Sequence, residues 1–265
     1  MKMFGFVMVF MLASGAVTAQ EAASLHGTIS FARRDANNTW SYDETKARLT
    51  VTHQTGLFGH AGSGVMDWHD SGYSTSRVDT YGIGYHDKTQ GRLSYQQDYQ
   101  QTSTTTDEFG HSTLCGSRNH TFVADYYAPQ TTFSLQHFRR SSVGCGGTID
   151  DSTVASMQWY PSDDSGLGGG VQEGENTRVF YAGAQNRWHT PHGSLELRVF
   201  LTHSPATDDF ARRDWVSLSL SFRPGDNKSM LDAHRSIFDA APVVSISHFS
   251  GNGYRNSSLS VSYSF

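Results

Sequence analysis

Between Ser257 and Phe265, the apolar residues Leu259, Val261, Tyr263 and Phe265 alternate with Ser258, Ser260, Ser262 and Ser264. A period of two places the apolar set on one face of a strand and the serines on the other. Val216, Leu218, Leu220 and Phe222 alternate with Ser217, Ser219 and Ser221 in the same way. Less regular runs of the same kind, bounded by Gly, Pro, Asn and Asp clusters, read as strands too. They lie near Leu25–Arg33, Lys46–Gln54, Val78–His86, Arg92–Thr102, Thr121–Tyr127, Thr131–Arg139, Thr153–Tyr160, Arg178–Arg187, Ser194–Thr202 and Val243–Phe249. The pattern thus predicts about twelve strands, with ten to fourteen as the range. Val65–His69 is a candidate for one more, and Asn227–Ala240 for a short helix in a loop. Gly166-Leu-Gly-Gly-Gly170 reads as a flexible loop. It lacks the Lys-Ser/Thr and helix of a phosphate cradle.

An aromatic strand with a free edge invites aggregation. In a closed barrel that edge pairs with the first strand and the apolar face meets lipid. The ending Leu259, Val261, Tyr263, Phe265 resembles the C-terminal signature of bacterial outer-membrane β-barrels, an alternating strand closing on Tyr-x-Phe. The resemblance implies an all-β, antiparallel up-and-down barrel that is porin-like and integral to the outer membrane. It also implies that these four residues serve as an assembly signal read by the barrel-assembly machinery, and that lipid and lipopolysaccharide surround the wall.

The start of the chain agrees. Lys2, the apolar run Met3–Leu12 and Val17-Thr18-Ala19 read as a signal peptide cleaved after Ala19, leaving residues 20–265 as the barrel. Beyond residue 19 no apolar run is long enough for a spanning helix. Ser, Thr, Gly, Tyr and Gln dominate, as they do where a polar lumen offsets an apolar lipid face. A net charge of −5 lacks the basic stripe of a nucleic-acid protein. Trp40, Tyr42, Tyr126, Tyr127, Trp159, Tyr160, Trp188, Trp215 and Tyr254 fall near predicted strand ends, where aromatic rings suit the membrane interface.

Twelve strands leave one conflict. With the last strand running toward the periplasm, the tight links Asp87–Gly91 and Ala128–Gln130 lie outside the cell. The long links Gly56–Arg77, Thr104–His120 and Arg223–Ala241 are then periplasmic, the reverse of the usual arrangement.

Several charges interrupt apolar stripes. Arg48, Arg92, Arg178, Arg198 and Glu196 each adjoin an apolar residue of a predicted strand. On the lipid face such a charge costs roughly 2–4 kcal/mol near the midplane, so these five are expected to line the lumen. Four arginines against one glutamate point to a channel for small anionic solutes or oligosaccharides, or to a barrel assisting surface-polymer export. Arginines paired across a narrow lumen would instead give a plugged structural or adhesive barrel. A membrane-embedded lipid hydrolase, of phospholipase or lipid A deacylase type, is the other alternative. Its serine–histidine pair has no motif here; His111-Ser112 and His203-Ser204 are merely adjacent, so no catalytic residue is assigned. The 13 histidines show no metal-ligand spacing, and neither a metal nor a cofactor is expected. Cys115 and Cys145 are expected to form a disulfide, as exported thiols do. It closes a loop of about 30 residues, worth roughly 3–4 kcal/mol.

Overall fold

The structure is a computed structural model that describes residues 24–36, 42–68, 74–105, 112–143, 150–175, 177–206, 212–236, 243–251 and 254–264. Fourteen antiparallel strands form one closed barrel. In chain order they are β1 (Ser24–Ala36), β2 (Tyr42–Thr52), β3 (Leu57–Trp68), β4 (Ser74–Asp87), β5 (Gly91–Thr105), β6 (Ser112–Ala128) and β7 (Thr131–Val143). The second half comprises β8 (Asp150–Ser162), β9 (Ser165–Gly174), β10 (Thr177–Thr190), β11 (Gly193–Ser204), β12 (Arg213–Pro224), β13 (Val243–Gly251) and β14 (Tyr254–Ser264). Each strand pairs with its sequence neighbours, and β14 closes on β1 with Val261 opposite Phe31 and Tyr263 opposite Ile29. The serine-alternating ending therefore supplies the closing seam. Phe265 lies outside the described residues.

The count sits at the upper end of the expected range. The two added strands are β3 and β9, and both hide behind glycine. On β9 the outer positions are Leu167, Gly169 and Val171, and the inner ones include Gly166, Gly168 and Gly170. So few side chains leave almost no alternation to read, and the stretch expected to be a flexible loop is a paired strand. The inner glycines have a steric reason. A Cβ at Gly168 would collide with the Gln158 amide, and one at Gly82 with the His60 ring. Absent side chains on one strand thus make room for large ones on the next. With β3 and β9 included, the tight links 88–90 and 129–130 move to the end that holds both described chain ends, while the long link between β12 and β13 stays at that end. Both described ends of the chain lie at the same end as the connections 53–56, 88–90, 129–130, 163–164 and 191–192. We call this the tight-turn end. The connections at the far end are two to eight residues long.

The wall is inverted relative to a water-soluble domain. Ile83, Leu93, Leu135, Leu201, Ile246 and Leu259 are all more than half exposed, and they share the outer face. Water does not tolerate so continuous an apolar surface, whereas lipid does. Tyr85, Tyr126, Phe133, Trp159 and Trp188 stand on this face near the tight turns. Tyr127 and Tyr160 were expected with them but point inward and are buried, at 6% and 1% exposure. Trp215 also faces inward, its ring 5.6 Å from that of Phe249. Toward the far end the outer face turns polar. His203 meets Asp214 at 2.6 Å, Arg139 lies 3.8 Å from Asp151, and the Tyr95 hydroxyl is 2.7 Å from His120. Strands long enough to rise above the hydrocarbon can carry such pairs outward.

Leu218 occupies the outer apolar stripe of β12. Leu218→Arg is expected to lower unfolding stability in lipid vesicles by roughly 2–4 kcal/mol, read from denaturant titration of tryptophan fluorescence.

Candidate functional site: the lumen and its tight-turn mouth

Direct register partners face the same side of the sheet, so the pairing sorts every side chain. Arg48 is opposite Gly62 and Thr28, and all three face inward. Arg92 is opposite Asp125, which it bonds at 2.7 Å on the inner face. Glu196 is opposite Arg187 and Ser221, and Arg198 opposite Gln185 and Ser219, all facing inward. Arg178 departs from expectation. It shares a face with Phe180 and Ala182, the outer stripe of β10, and pairs outside the barrel with Glu173. An inward Arg178 would need Val179 to face outward, but Val179 and Tyr181 face the lumen. Arg178 stands one residue from the strand's far end, beyond the apolar belt, where an outward charge has water and a partner.

The densest part of the lumen was not anticipated. Arg187, at 3% exposure, and Glu196, at 1%, form a buried pair at 2.6 Å. Arg198 reaches the other carboxylate oxygen of Glu196, and Arg223 approaches within 3.9 Å. Arg187 extends further, to Asp226 at 3.4 Å and to the carbonyl oxygens of Lys228 at 2.8 Å and Ser229 at 3.4 Å. These three residues belong to the long connection between β12 and β13. That connection carries the helix α1 (Met230–His234), N-capped by the Ser229 hydroxyl, which accepts from Asp232 N–H at 3.0 Å.

The connection crosses the tight-turn mouth. Met230 N–H donates to the carbonyl of Asp163, in the β8–β9 turn, at 2.8 Å. The Met230 side chain is buried at 2% exposure. His234 packs against Tyr160 of β8, with ring centroids 5.7 Å apart. Arg235 lies over the Tyr127 ring, 5.1 Å from its centroid, and donates to the carbonyls of Ala128 and Thr131 in the β6–β7 hairpin. Its backbone also bonds His86 of β4. From β12 to β4 the described part of this strap runs nearly across the ring of strands. Residues 237–242 lie outside the described set. Tyr127, Tyr160 and Met230 make up most of the buried apolar side chains among the described residues, so the barrel's nearest equivalent of a core is this mouth.

A buried ion network is weak evidence of stability, because desolvation offsets much of the Coulomb attraction. It does select one arrangement, since breaking it strands a charge. Above the strap the lumen stays polar. Asp98 accepts from Thr80 at 2.7 Å and from Gln96 at 3.0 Å, and Gln96 lies 3.2 Å from His60. The Arg198 side chain is 46% exposed and that of Arg92 36%, so both guanidiniums reach lumen water. His234 is partly open to solvent. Desolvation by the surrounding wall, helped by Arg198, Arg92 and Arg235 and opposed by Asp125, holds its imidazole below the usual range. It is therefore neutral at pH 7.

A hydrolase would need a nucleophile on its histidine. The His203–Asp214 pair lies on the outer wall beside a groove of about 540 Å³ lined by Phe180, Leu201 and Val216. The His203 ring packs on Phe180 at 6.4 Å. Among the described residues no serine is hydrogen-bonded to a histidine that also holds a carboxylate, and no group of three or more His, Cys, Asp or Glu could hold a metal. His111 and Cys145 lie outside the described set. Cys115 is on β6, opposite Thr102.

No protein-family model and no curated protein sequence matches the chain. Solved structures do match. CymD, titled a monoaromatic hydrocarbon channel, aligns over 92% of this chain and 88% of its own, at 11% identity and a TM-score of 0.60. CdiB from Acinetobacter baumannii aligns over 91% of this chain and 60% of its own, at 9% identity and a TM-score of 0.53. The fold is that of a porin-like bacterial outer-membrane barrel. At such identities the likeness extends to the fold alone.

In this barrel Arg187 is shared by wall and strap. Arg187→Ala leaves Glu196 and Asp226 buried without it, and is expected to cost roughly 3–5 kcal/mol in denaturant unfolding of the refolded protein.

Proposed function

We propose that the protein is an outer-membrane channel for small anionic solutes. The observation that carries this reading is the charge of the tight-turn half of the lumen. On the described strands there, Arg48, Arg92, Arg187, Arg198 and Arg223 face Asp98, Asp125 and Glu196. Five arginines against three carboxylates leave an excess of two positive charges. Low-dielectric walls focus such a field and concentrate anions within it. Oligosaccharides with acidic groups fall in the same solute class. The tight turns and described chain ends face the periplasm in this reading, and the far-end loops face the medium, as is usual for these barrels.

Other parts of the reading follow from export. Residues 1–19 are a cleaved signal peptide, and Cys115 and Cys145 form a disulfide between the far end of β6 and the link after β7. Leu259, Val261, Tyr263 and Phe265 guide assembly by the barrel-assembly machinery, and lipopolysaccharide surrounds the far-end half of the wall. A second reading, a barrel plugged for a structural role, is favoured by the strap across the mouth.

Electrical recording separates the two. The refolded protein in a planar bilayer is expected to conduct, with a reversal potential in a salt gradient that shows anion preference and weakens as salt rises. Replacing Arg48 and Arg198 together by Gln should lower the anion-to-cation permeability ratio, whereas Arg178→Gln, on the outer face, should leave it unchanged. A barrel that never conducts supports the plugged reading.

A further inference from the structure

The strap is pinned at its ends by two guanidiniums and lightly held between them. At one end Arg187 of the wall grips Asp226 and the carbonyls of Lys228 and Ser229. At the other, Arg235 of the strap grips the β6–β7 hairpin through Ala128, Thr131 and Tyr127. Between them Met230 is the one apolar side chain of the strap that is fully buried among the described residues. Almost everything that holds the strap is a polar bond that water can replace, and such segments open at low cost compared with the rest of a fold. The wall is also prepared for release. Without the strap Arg187 still has Glu196, and Arg92 still has Asp125.

We propose that the strap is a gate that closes the tight-turn mouth at neutral pH and swings out when His234 takes up a proton. The proposal rests on the channel reading above and adds its regulation. The charges around His234 come from every element packed on it: Arg92 from β5, Asp125 from β6, Arg198 from β11 and Arg235 from the strap itself, with Tyr160 of β8 against the ring. His86 of β4 stands behind, bonded to the Arg235 backbone. Asp125 is already engaged by Arg92 at 2.7 Å. A protonated His234 would therefore be a fourth cation crowded with three guanidiniums around one committed carboxylate.

With the strap out, the same imidazole leaves that crowd. It binds a proton more readily in the open state than in the closed one, so falling pH favours opening. Each unit by which the two affinities differ shifts the closed-to-open ratio about tenfold. The window runs from about pH 7 to about pH 5, where an imidazole changes charge and an unperturbed carboxylate does not.

Single-channel recording of the full-length refolded protein tests this. Open events should become several-fold more frequent between pH 7 and pH 5, with about tenfold as the limit, for a one-unit difference between states. His234→Gln should remain closed across that range, while His86→Gln should still respond. A cross-link provides a second arm. Leu231 N–H bonds the Asp163 carbonyl at 3.3 Å, so the pair Asp163→Cys and Leu231→Cys places two thiols on adjacent backbone. Oxidised, this variant should lose the acid-induced openings; reduced, it should regain them, with wild type under the same reagents controlling for Cys115 and Cys145. A conducting barrel whose openings are the same oxidised and reduced would overturn the gate. An unchanged acid response in His234→Gln would overturn its proton trigger. Absence of current from every variant under every condition would overturn the channel reading, and the gate with it.

Discussion

A strand in hydrocarbon has no water to satisfy its N–H and C=O groups, so each must find a partner within the protein. Closure of the sheet is the consequence, and the rest of the molecule depends on it. Here closure falls on the seam between β14 and β1, where Leu259 is opposite Arg33 and Val261 opposite Phe31. Once the ring is complete, every residue has one of two environments. Outer positions carry Leu, Ile, Val and aromatic rings in a belt, then ion pairs toward the far end. Inner positions carry serine, glutamine, glycine and arginine. The same parity rule makes one side chain lipid-facing and its neighbour a channel wall.

A barrel of this kind has no core of the ordinary sort, and this one places its deepest burial at one mouth. The β12–β13 connection brings Asp226, Met230 and Arg235 against Arg187, Asp163, Tyr127 and Tyr160. Two kinds of interaction divide the work. Arg187 and Glu196 fix the geometry of the wall beneath the strap, and would do so with the strap absent. Arg235 and the Asp163 carbonyl fix the strap on the opposite side. The arginines above it, Arg48 and Arg198, are left with water before them and a net positive field around them. In the proposed channel, charge selection and closure would therefore fall to neighbouring layers of one lumen.

Much of this was legible from alternation alone. The fold class, the seam strand and twelve of the strands follow from a period of two that any reader of β12 or β14 can see. The strands that escaped are those whose alternation is erased by glycine, and their inner glycines make room for side chains of adjacent strands: Gly62 and Gly64 of β3 for Arg48 and Lys46, and Gly168 of β9 for Gln158. Neighbouring strands are distant enough in sequence that no local pattern reports it. Arg178 was misplaced by parity: the outer stripe Phe180, Ala182, Ala184 is weak, while Val179 and Tyr181 supply a false one. Arg187 precedes Trp188 at a strand end, where charge and ring together resemble a membrane interface, and no local pattern marks it as buried. Its partners Asp226, Lys228 and Ser229 are some forty positions away in sequence, across the barrel mouth. The short helix could be read from Asn227–Ala240, but its seat could not.

The central claim is that a polar lumen exists above the strap and that the strap, not the wall, limits passage. The most direct measurement compares the conductance at neutral pH of the intact barrel with one in which residues 227–236 are replaced by a short Gly-Ser linker. The account predicts a stably folded barrel with a several-fold larger, anion-preferring conductance once the strap is gone. A folded variant with the conductance of the intact protein, or with none, would contradict it.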